Sequence, residues 1–517
     1  MLRGVGTPPP TPQPRSSLAT SLLLAALLLT SVFAWFHLIL SSHHACLNSG
    51  SGNNHNTQAT LENFPSPFPW QPPDFSEEYD SFSSFASSLL HPFPWKPLNY
   101  SELTMRNIVF GIGGSAQSWP QRKEFVKLWW KPHRMRGFVW LDEPVSATGP
   151  SDQLPILMIS EDTSSFRYTH PVGSPSGIRI ARILVEMFKL GLPDVYWFVV
   201  ADDDTIFSTD NLLRVLSKYD PNELYYIGHY SESHLENFIF SYNMAYGGGG
   251  VAISYPLAEA LVGMFDDCIR RYPHLFGSDD RLHACITELG VPITKELGFH
   301  QFDIRGNAFG LLTAHPVAPF VSLHHVGIIE PIFPGLETLD GLRLLVKAMQ
   351  VEPSSFLQQC ICYQAKHKLS FSISSGYAVQ VYPRIVSPRE LQKAERTFQA
   401  WNGLDFEAEF DINTRPSPSI CDHPFTFYLE EIHQEERTGS VLSLYKRHGG
   451  TDDLKKKEFC WSHMFSPAKV QQIRVLSKPL DWRWYLVPRQ QCCSVGNIVK
   501  DGVLDIVVDS CVQGIVT

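Results

Sequence analysis

Three consecutive carboxylates, Asp202-Asp203-Asp204, directly follow the apolar stretch Val195-Tyr-Trp-Phe-Val-Val200 and Ala201. A near-continuous apolar run of this length reads as a strand buried on both faces. Acidic groups at the end of such a strand are costly unless something positive neutralises them. A divalent cation does this, and hard oxygen ligands suit Mn2+ or Mg2+. In extended backbone Asp202 and Asp204 point to one side and Asp203 to the other. The first and third can therefore hold one metal directly or through water, while Asp203 turns toward protein or sugar. A nucleoside diphosphate leaving group needs such a metal, because charge builds on its β-phosphate as the glycosidic bond breaks. Away from a buried strand, an acidic turn or a helix start would explain the triplet equally well.

Further along, Tyr246-Gly-Gly-Gly-Gly-Val251 lets backbone approach a ligand closely and adopt positive φ, although a plain flexible loop has the same composition. Asp279-Asp280, after Gly277-Ser278, supplies a second carboxylate pair. A carboxylate within hydrogen-bond reach of an acceptor hydroxyl can serve as the base in inverting sugar transfer; the competing role is a capping turn for a helix over 281–289. His324-His325 ends the apolar run Ala318–Leu323, and one imidazole could complete a metal shell with the aspartates.

The elements that must position these residues alternate between strand and helix. Residues 107–113 form an apolar strand running into glycines, 121–130 a helix, and 137–141 a second strand ending at Asp142-Glu143. A helix over 176–190 is stopped by Gly191 and Pro193. Asp210 reads as the N-cap of a helix carrying Leu212, Leu213 and Leu216. This alternation predicts an α/β sandwich with a mostly parallel sheet, whose ligands bind beyond the C-terminal strand ends. After about residue 360 short alternating strands take over, at 369–374, 425–429, 473–476 and 484–487. A helix is expected over 388–400, capped by Ser387 with Pro388 at its first position and Glu390 completing a capping box.

The bulk properties set the frame. At 517 residues, the chain is too long for one ordinary core. Its formal charge of −10 argues against nucleic acid, whose phosphates demand clustered Lys and Arg; the short Lys455–Lys457 run reads as a solvated loop. Residues 18–40 are apolar and free of Asp, Glu, Lys and Arg, long enough to cross ~30 Å of hydrocarbon. Arg3 and Arg15 precede them, favouring a cytosolic N-terminus and a lumenal remainder over a cleaved signal peptide. The expected order is a cytosolic tail (1–17), a transmembrane signal anchor (18–40), a Ser/Asn/Pro-rich stem (41–103), a catalytic α/β domain (104–355) and a smaller β-rich C-terminal domain (356–517). Ten cysteines, with no zinc-ribbon spacing, point to disulfides in an oxidising lumen, and Asn99-Tyr100-Ser101 is a glycosylation sequon usable there.

Trp197-Phe198 with Asp202–Asp204, the Gly247–Gly250 run, Asp279-Asp280 and His324-His325 occur in the order and approximate spacing of Fringe-like β1,3-glycosyltransferases. The chain resembles the plant Fringe-related group once described only as a domain of unknown function, over roughly 104–350, and its β-rich end resembles that group's extension. The resemblance implies a GT-A nucleotide-sugar-binding fold, a UDP-sugar donor, a glycan acceptor, Mn2+ (or Mg2+) and inversion at the anomeric carbon, in a type II Golgi membrane protein. It implies Asp202 and Asp204 as the metal motif, with His325 or His324 as a further ligand. Asp280 is implied as the catalytic base, with Asp279 its neighbour. Arg122, Asp142, Asp203, Gly248 and Gly249 are implied at the sugar-nucleotide cleft. Gly277-Ser278 stands where animal Fringe proteins carry Pro. Two other readings compete: a catalytically silent lumenal carbohydrate-binding protein that retains the fold, and a metal-dependent phosphohydrolase, which would call for more clustered His and Asp ligands.

Overall fold

The first sheet grows around the two most apolar stretches of the chain. In the computed structural model, β1 (Ile108–Gly113) is buried along its whole length. After α1 (Trp119–Trp129) come β2 (Arg136–Leu141) and β3 (Ile156–Ile159), then a helical stretch, then β4 (Trp197–Asp202). The helix expected over 176–190 is divided at Arg182 into α2 (Ser176–Ala181) and α3 (Ile183–Lys189). Completing the sheet are β5 (Tyr226–Gly228), β6 (Val251–Ser254) and β7 (Ile293–Lys295), in the order β3-β2-β1-β4-β6-β5-β7. All neighbours run parallel except β6, which is antiparallel to both β4 and β5. The mostly parallel α/β sheet expected from the alternation is therefore present.

Two features lock helices onto this sheet. A Cβ on Gly111 would fall 2.5 Å from the Met187 methyl, so the missing side chain lets α3 lie directly on β1. The buried Arg179 donates to Trp140 O at 3.1 Å and to Gly114 O at 2.7 Å, tying α2 to the ends of β1 and β2 where the acidic triplet emerges.

The described residues are 103–145, 153–401, 403, 409–449, 467–498 and 502–511, all within one compact unit, Trp95–Thr517. The expected anchor at 18–40, the sequon at Asn99 and the Lys455–Lys457 run lie outside them. Among the described residues no helix is long and apolar enough to cross a membrane.

A second, eight-stranded sheet follows in the order Gln359–Gln364, Leu369–Ser374, Ala378–Tyr382, Phe425–Gln434, Val441–Arg447, Gln472–Ser477, Val503–Asp509 and Cys492–Ile498. It is antiparallel save for the pair 472–477 and 503–509. Its buried residues share one core with the first sheet, from Phe110 and Trp197 through Phe309 and Phe333 to Tyr377 and Ile473. Disulfides join Cys268 to Cys285, Cys362 to Cys493 and Cys492 to Cys511, while Cys360 is a buried free thiol.

Local signals were overridden in three places. Only Pro388–Leu391 is helical within 388–400; Phe398–Ala400 instead pairs antiparallel with Ile304–Gly306, burying Phe398 and Ala400 and exposing Gln399. The strand expected at 484–487 is a helix, Trp482–Leu486, because the Asp481 carboxylate accepts from the Arg483 and Trp484 N–H groups. The helix Thr209–Leu216 starts from Ser208, two residues earlier than the expected cap and without a side-chain capping bond, and Asp210 pairs with Lys131 at 2.8 Å.

Candidate metal and sugar-nucleotide site

Strand pairing brings the acidic triplet to a histidine more than a hundred residues away. β1 and β4 pair in register, so Asp202 lies opposite Gly113 at the sheet's C-terminal edge. The chain then turns through Asp203 and Asp204 into the short strand Ile206–Phe207, which pairs antiparallel with Ser322–Leu323, Leu323 facing Ile206. His324 is the next residue after that pair, and the antiparallel register returns it to the triplet. Its Nε2 lies 3.4 Å from Asp202 Oδ2 and 3.2 Å from Asp204 Oδ1. One ligand atom from each of Asp202, Asp204 and His324 can be chosen so that all lie within 4.8 Å of one another. Two carboxylate oxygens and an imidazole nitrogen form a donor set that fits a hard or borderline divalent ion such as Mn2+.

The charges around this cluster are strongly coupled. Burial opposes ionisation of Asp204, but the His324 hydrogen bond and the Arg122 guanidinium hold its carboxyl well below the usual carboxylate range. Burial likewise opposes a charge on His324, yet Asp202 and Asp204 push its pKa up to about 10. Asp203 points the other way, toward Ser118 Oγ at 3.4 Å. Burial raises it to about 7, only partly offset by Arg122. Arg122, near the start of α1, makes a close ion pair with Asp204 and lies 3.8 Å from Asp203. It thus sits against the triplet, where the resemblance put a cleft residue. Asp142 stands at the periphery: its Oδ1 accepts from Ala116 N at 2.7 Å and pins the loop that follows β1.

The glycine run packs against Asp279 and His324. A Cβ on Gly247 would lie 2.5 Å from Asp279 Oδ1, and one on Gly248 only 2.2 Å from His324 Cε1. Gly250 has φ +93° and abuts the Phe207 ring. Gly249 donates to Gln301 Oε1 at 2.8 Å, and its carbonyl accepts from Ser322 Oγ. Gly248 and Gly249, implied by the resemblance at the sugar-nucleotide cleft, leave room for the His324 ring and anchor the backbone beside it. Thr205, which the sequence reading passed over, ties the two segments together. Its Oγ1 donates to Gly248 O at 2.7 Å and accepts from Asp202 N at 3.2 Å; a hydroxyl directly after an acidic turn was the available signal.

The second acidic pair divides at the start of the helix Ser278–Glu288. Asp279 shares a small cavity with Asp202, Gly247 and Val200. Burial and the charge on Asp202 raise its pKa to about 6, against the opposing Gly247 N–H and Ser278 hydroxyl. Asp280 instead accepts from Phe276 N at 3.2 Å, a capping contact. His325 also parts from its neighbour: with φ +54° it turns its Nδ1 to within 3.2 Å of Asp303 and lies outside the metal-type cluster. The ring sits between His324 and Trp401, a residue from beyond 355 that no local motif marks.

Comparisons with known proteins bear on this arrangement. A family described as "Protein of unknown function, DUF604" matches residues 236–493, which include the glycine run, both acidic residues of the second pair and both histidines. The Beta-1,3-glucosyltransferase of Mus musculus is 34% identical over 107 residues, 21% of each chain. Its Homo sapiens counterpart is 34% identical over 105 residues, 20% of each. The chain thus spans about a fifth of the length of these curated relatives. Among solved structures, the mannosyltransferase PcManGT from Pyrobaculum calidifontis in complex with GDP-Man and Mn2+ is similar at 14% identity and a TM-score of 0.24, over 43% of this chain and 62% of that one. That likeness is too loose to inform the site. The sequence matches support a relationship of this chain to a β-1,3-glycosyltransferase-like family.

Proposed function

We propose that the protein is an inverting, metal-dependent glycosyltransferase of the Fringe-like type, moving a hexose from a UDP-sugar to a carbohydrate hydroxyl in a β1,3 linkage. The observation that carries this reading is the meeting of Asp202, Asp204 and His324 beyond the C-terminal end of β4, with ligand atoms within 4.8 Å of one another. The identity to proteins named Beta-1,3-glucosyltransferase supports the reaction class. In this reading those three side chains hold Mn2+ (or Mg2+), which when bound supplies charge stabilisation to the diphosphate leaving group. Gly247 and Gly248 keep the backbone clear of the two working side chains. The base is Asp279 rather than Asp280, since it is Asp279 that lines the cavity with Asp202 while Asp280 caps its helix. Its carboxylate takes the acceptor hydroxyl proton as that oxygen attacks the anomeric carbon and UDP departs with the bonding pair. The apolar segment 18–40 serves as the signal anchor of a single-pass type II Golgi protein with this site in the lumen.

The test is hydrolysis or transfer from a panel of UDP-hexoses by the full chain, with Mn2+ and after chelation. Metal-dependent release of UDP that is lost in Asp204→Ala supports the reading. Metal-independent UDP binding, untouched by Asp204→Ala, rejects it.

A further inference from the structure

A second cavity, of about 310 Å³, lies beside the metal-type cluster and is lined from both halves of the chain. Its floor is a hydrogen-bonded line of buried groups. Glu232 Oε1 lies 2.9 Å from His300 Nδ1, His300 Nε2 lies 3.0 Å from His315 Nε2, and His315 Nδ1 lies 2.7 Å from Pro316 O. The proton positions follow from the ends. A carbonyl can only accept, so His315 carries its proton on Nδ1, and as a neutral ring it accepts at Nε2. His300 must then donate from Nε2, and when neutral it accepts at Nδ1 from a protonated Glu232. Burial acts in the same sense, lowering His300 to about 4 and raising Glu232 to about 7. The floor is therefore an uncharged polar line between about pH 4 and about pH 7.

The walls are aromatic and apolar. Tyr230 is stacked with His229 at 4.1 Å, and Phe320 with His300 at 5.8 Å. Leu357 and Ile412 close the sides. Gln392 and Asn413 stand exposed at the rim. The segment carrying Asp411 and Asn413 is docked by Asp411 N donating to Glu232 O at 3.0 Å and by the Asp411 carboxylate accepting from Asn237 Nδ2 at 2.7 Å. Among the described residues no Lys or Arg lines the cavity. A phosphate-bearing ligand would find no counter-charge in the lining itself, Lys295 being held 5.0 Å over the Tyr230 ring. Aromatic faces beside amide, carboxyl and imidazole edges suit a neutral, hydroxylated ring.

The cavity is coupled to the cluster by direct backbone contact. His324 N donates to His300 O at 3.2 Å, and Ser231 Oγ donates at 2.6 Å to Asp303, the carboxylate that faces His325. We propose that this cavity is a glycan subsite that takes one neutral pyranose ring of the acceptor. The inference rests on the glycosyltransferase reading for the word acceptor, but the binding it predicts requires neither metal nor donor.

The experiment titrates the full chain, without metal or nucleotide, with methyl β-glucoside, methyl β-galactoside, cellobiose and lactose, by saturation-transfer NMR and calorimetry. At least one glycoside should bind saturably. Binding should weaken roughly tenfold or more when the rim is plugged by Asn413→Trp or, independently, by Gln392→Trp, each variant first shown to melt like the parent. Absence of saturable binding by all four glycosides, or undiminished binding in both plugged variants, overturns the proposal. A UDP–Mn2+ titration of the unaltered protein reports separately on the donor site. Glycoside failure with intact UDP–Mn2+ binding removes only this subsite, whereas loss of metal-dependent UDP binding removes the broader reading.

Discussion

The imidazole of His325 lies flat on the indole of Trp401, with ring centroids 4.4 Å apart and planes 9° apart. Its other face meets His324 at 3.8 Å. Arg305 holds the indole in turn, with its guanidinium 5.0 Å from the ring centroid and its Nε donating to Trp401 O at 2.8 Å. Trp401, just after the strand Phe398–Ala400, therefore props His325, which in turn backs the histidine that faces Asp202 and Asp204. An aromatic pair contributes about 1 kcal/mol beyond its buried area. Trp401→Ala should accordingly weaken Mn2+ binding roughly fivefold, and Trp401→Phe should recover most of it. Calorimetric titration with Mn2+ checks this; equal affinity in all three proteins would show that the stack does not position His324.

Gly248→Ala should cost far more metal affinity than any other substitution in the glycine run, because the new methyl would occupy the place of the His324 ring. Gly247→Ala presses on Asp279 and should depress transfer while sparing Mn2+ binding. Gly277→Ala, whose Cβ would meet nothing within 4 Å, is the control. Parallel metal titrations and transfer assays separate the three, and an indifferent Gly248→Ala would contradict the packing described.

Asp279→Asn should reduce transfer by a factor of about a hundred or more, the usual reach of general base catalysis, with UDP–Mn2+ binding retained. Asp280→Asn should show its larger effect on thermal stability, through the cap on Phe276 N. The reverse ranking in single-turnover assays would return the base to Asp280.

The protonation of His324 gives a pH test. Ligation needs a neutral imidazole, and Asp202 and Asp204 hold this one protonated up to about pH 10. Binding must expel a proton, so Mn2+ affinity should rise about tenfold per pH unit around neutrality. Without metal, the linkage runs oppositely. The folded pKa is raised above the ordinary 6.5, so the contribution of His324 to stability is complete below pH 6.5 and is lost as pH climbs through about 10. Melting in chelator across that window, with His324→Gln as reference, should show the loss in the parent alone.

What could be read from the residues followed the strength of local patterning. The run ending at Val200 announced its strand because six apolar side chains in sequence have few other homes. The order of acidic triplet, glycines, second acidic pair and histidines was likewise visible. Which histidine faces the aspartates was not, because it depends on the antiparallel register of Leu323 with Ile206 and on the positive φ of His325. Nor could the packing of Gly247 and Gly248 be read, since their neighbours arrive from residues 279 and 324. Residues 388–400 carried sound helix-start signals, yet pairing of Phe398–Ala400 with Ile304–Gly306 outweighed them. That pairing is what delivers Trp401.

The two outermost strands of the eight-stranded sheet, Gln359–Gln364 and Cys492–Ile498, are joined by the Cys362–Cys493 bond. The sheet is therefore riveted across its own seam, and a covalent hoop runs through residues 362–493. Neither rim strand can swing away to recruit a strand from another molecule, the usual route by which open sheets aggregate. A pulling force applied at the C-terminus meets the rivet before it reaches Trp401, which lies inside the hoop. Reduction of the Cys362–Cys493 bond would remove that shield.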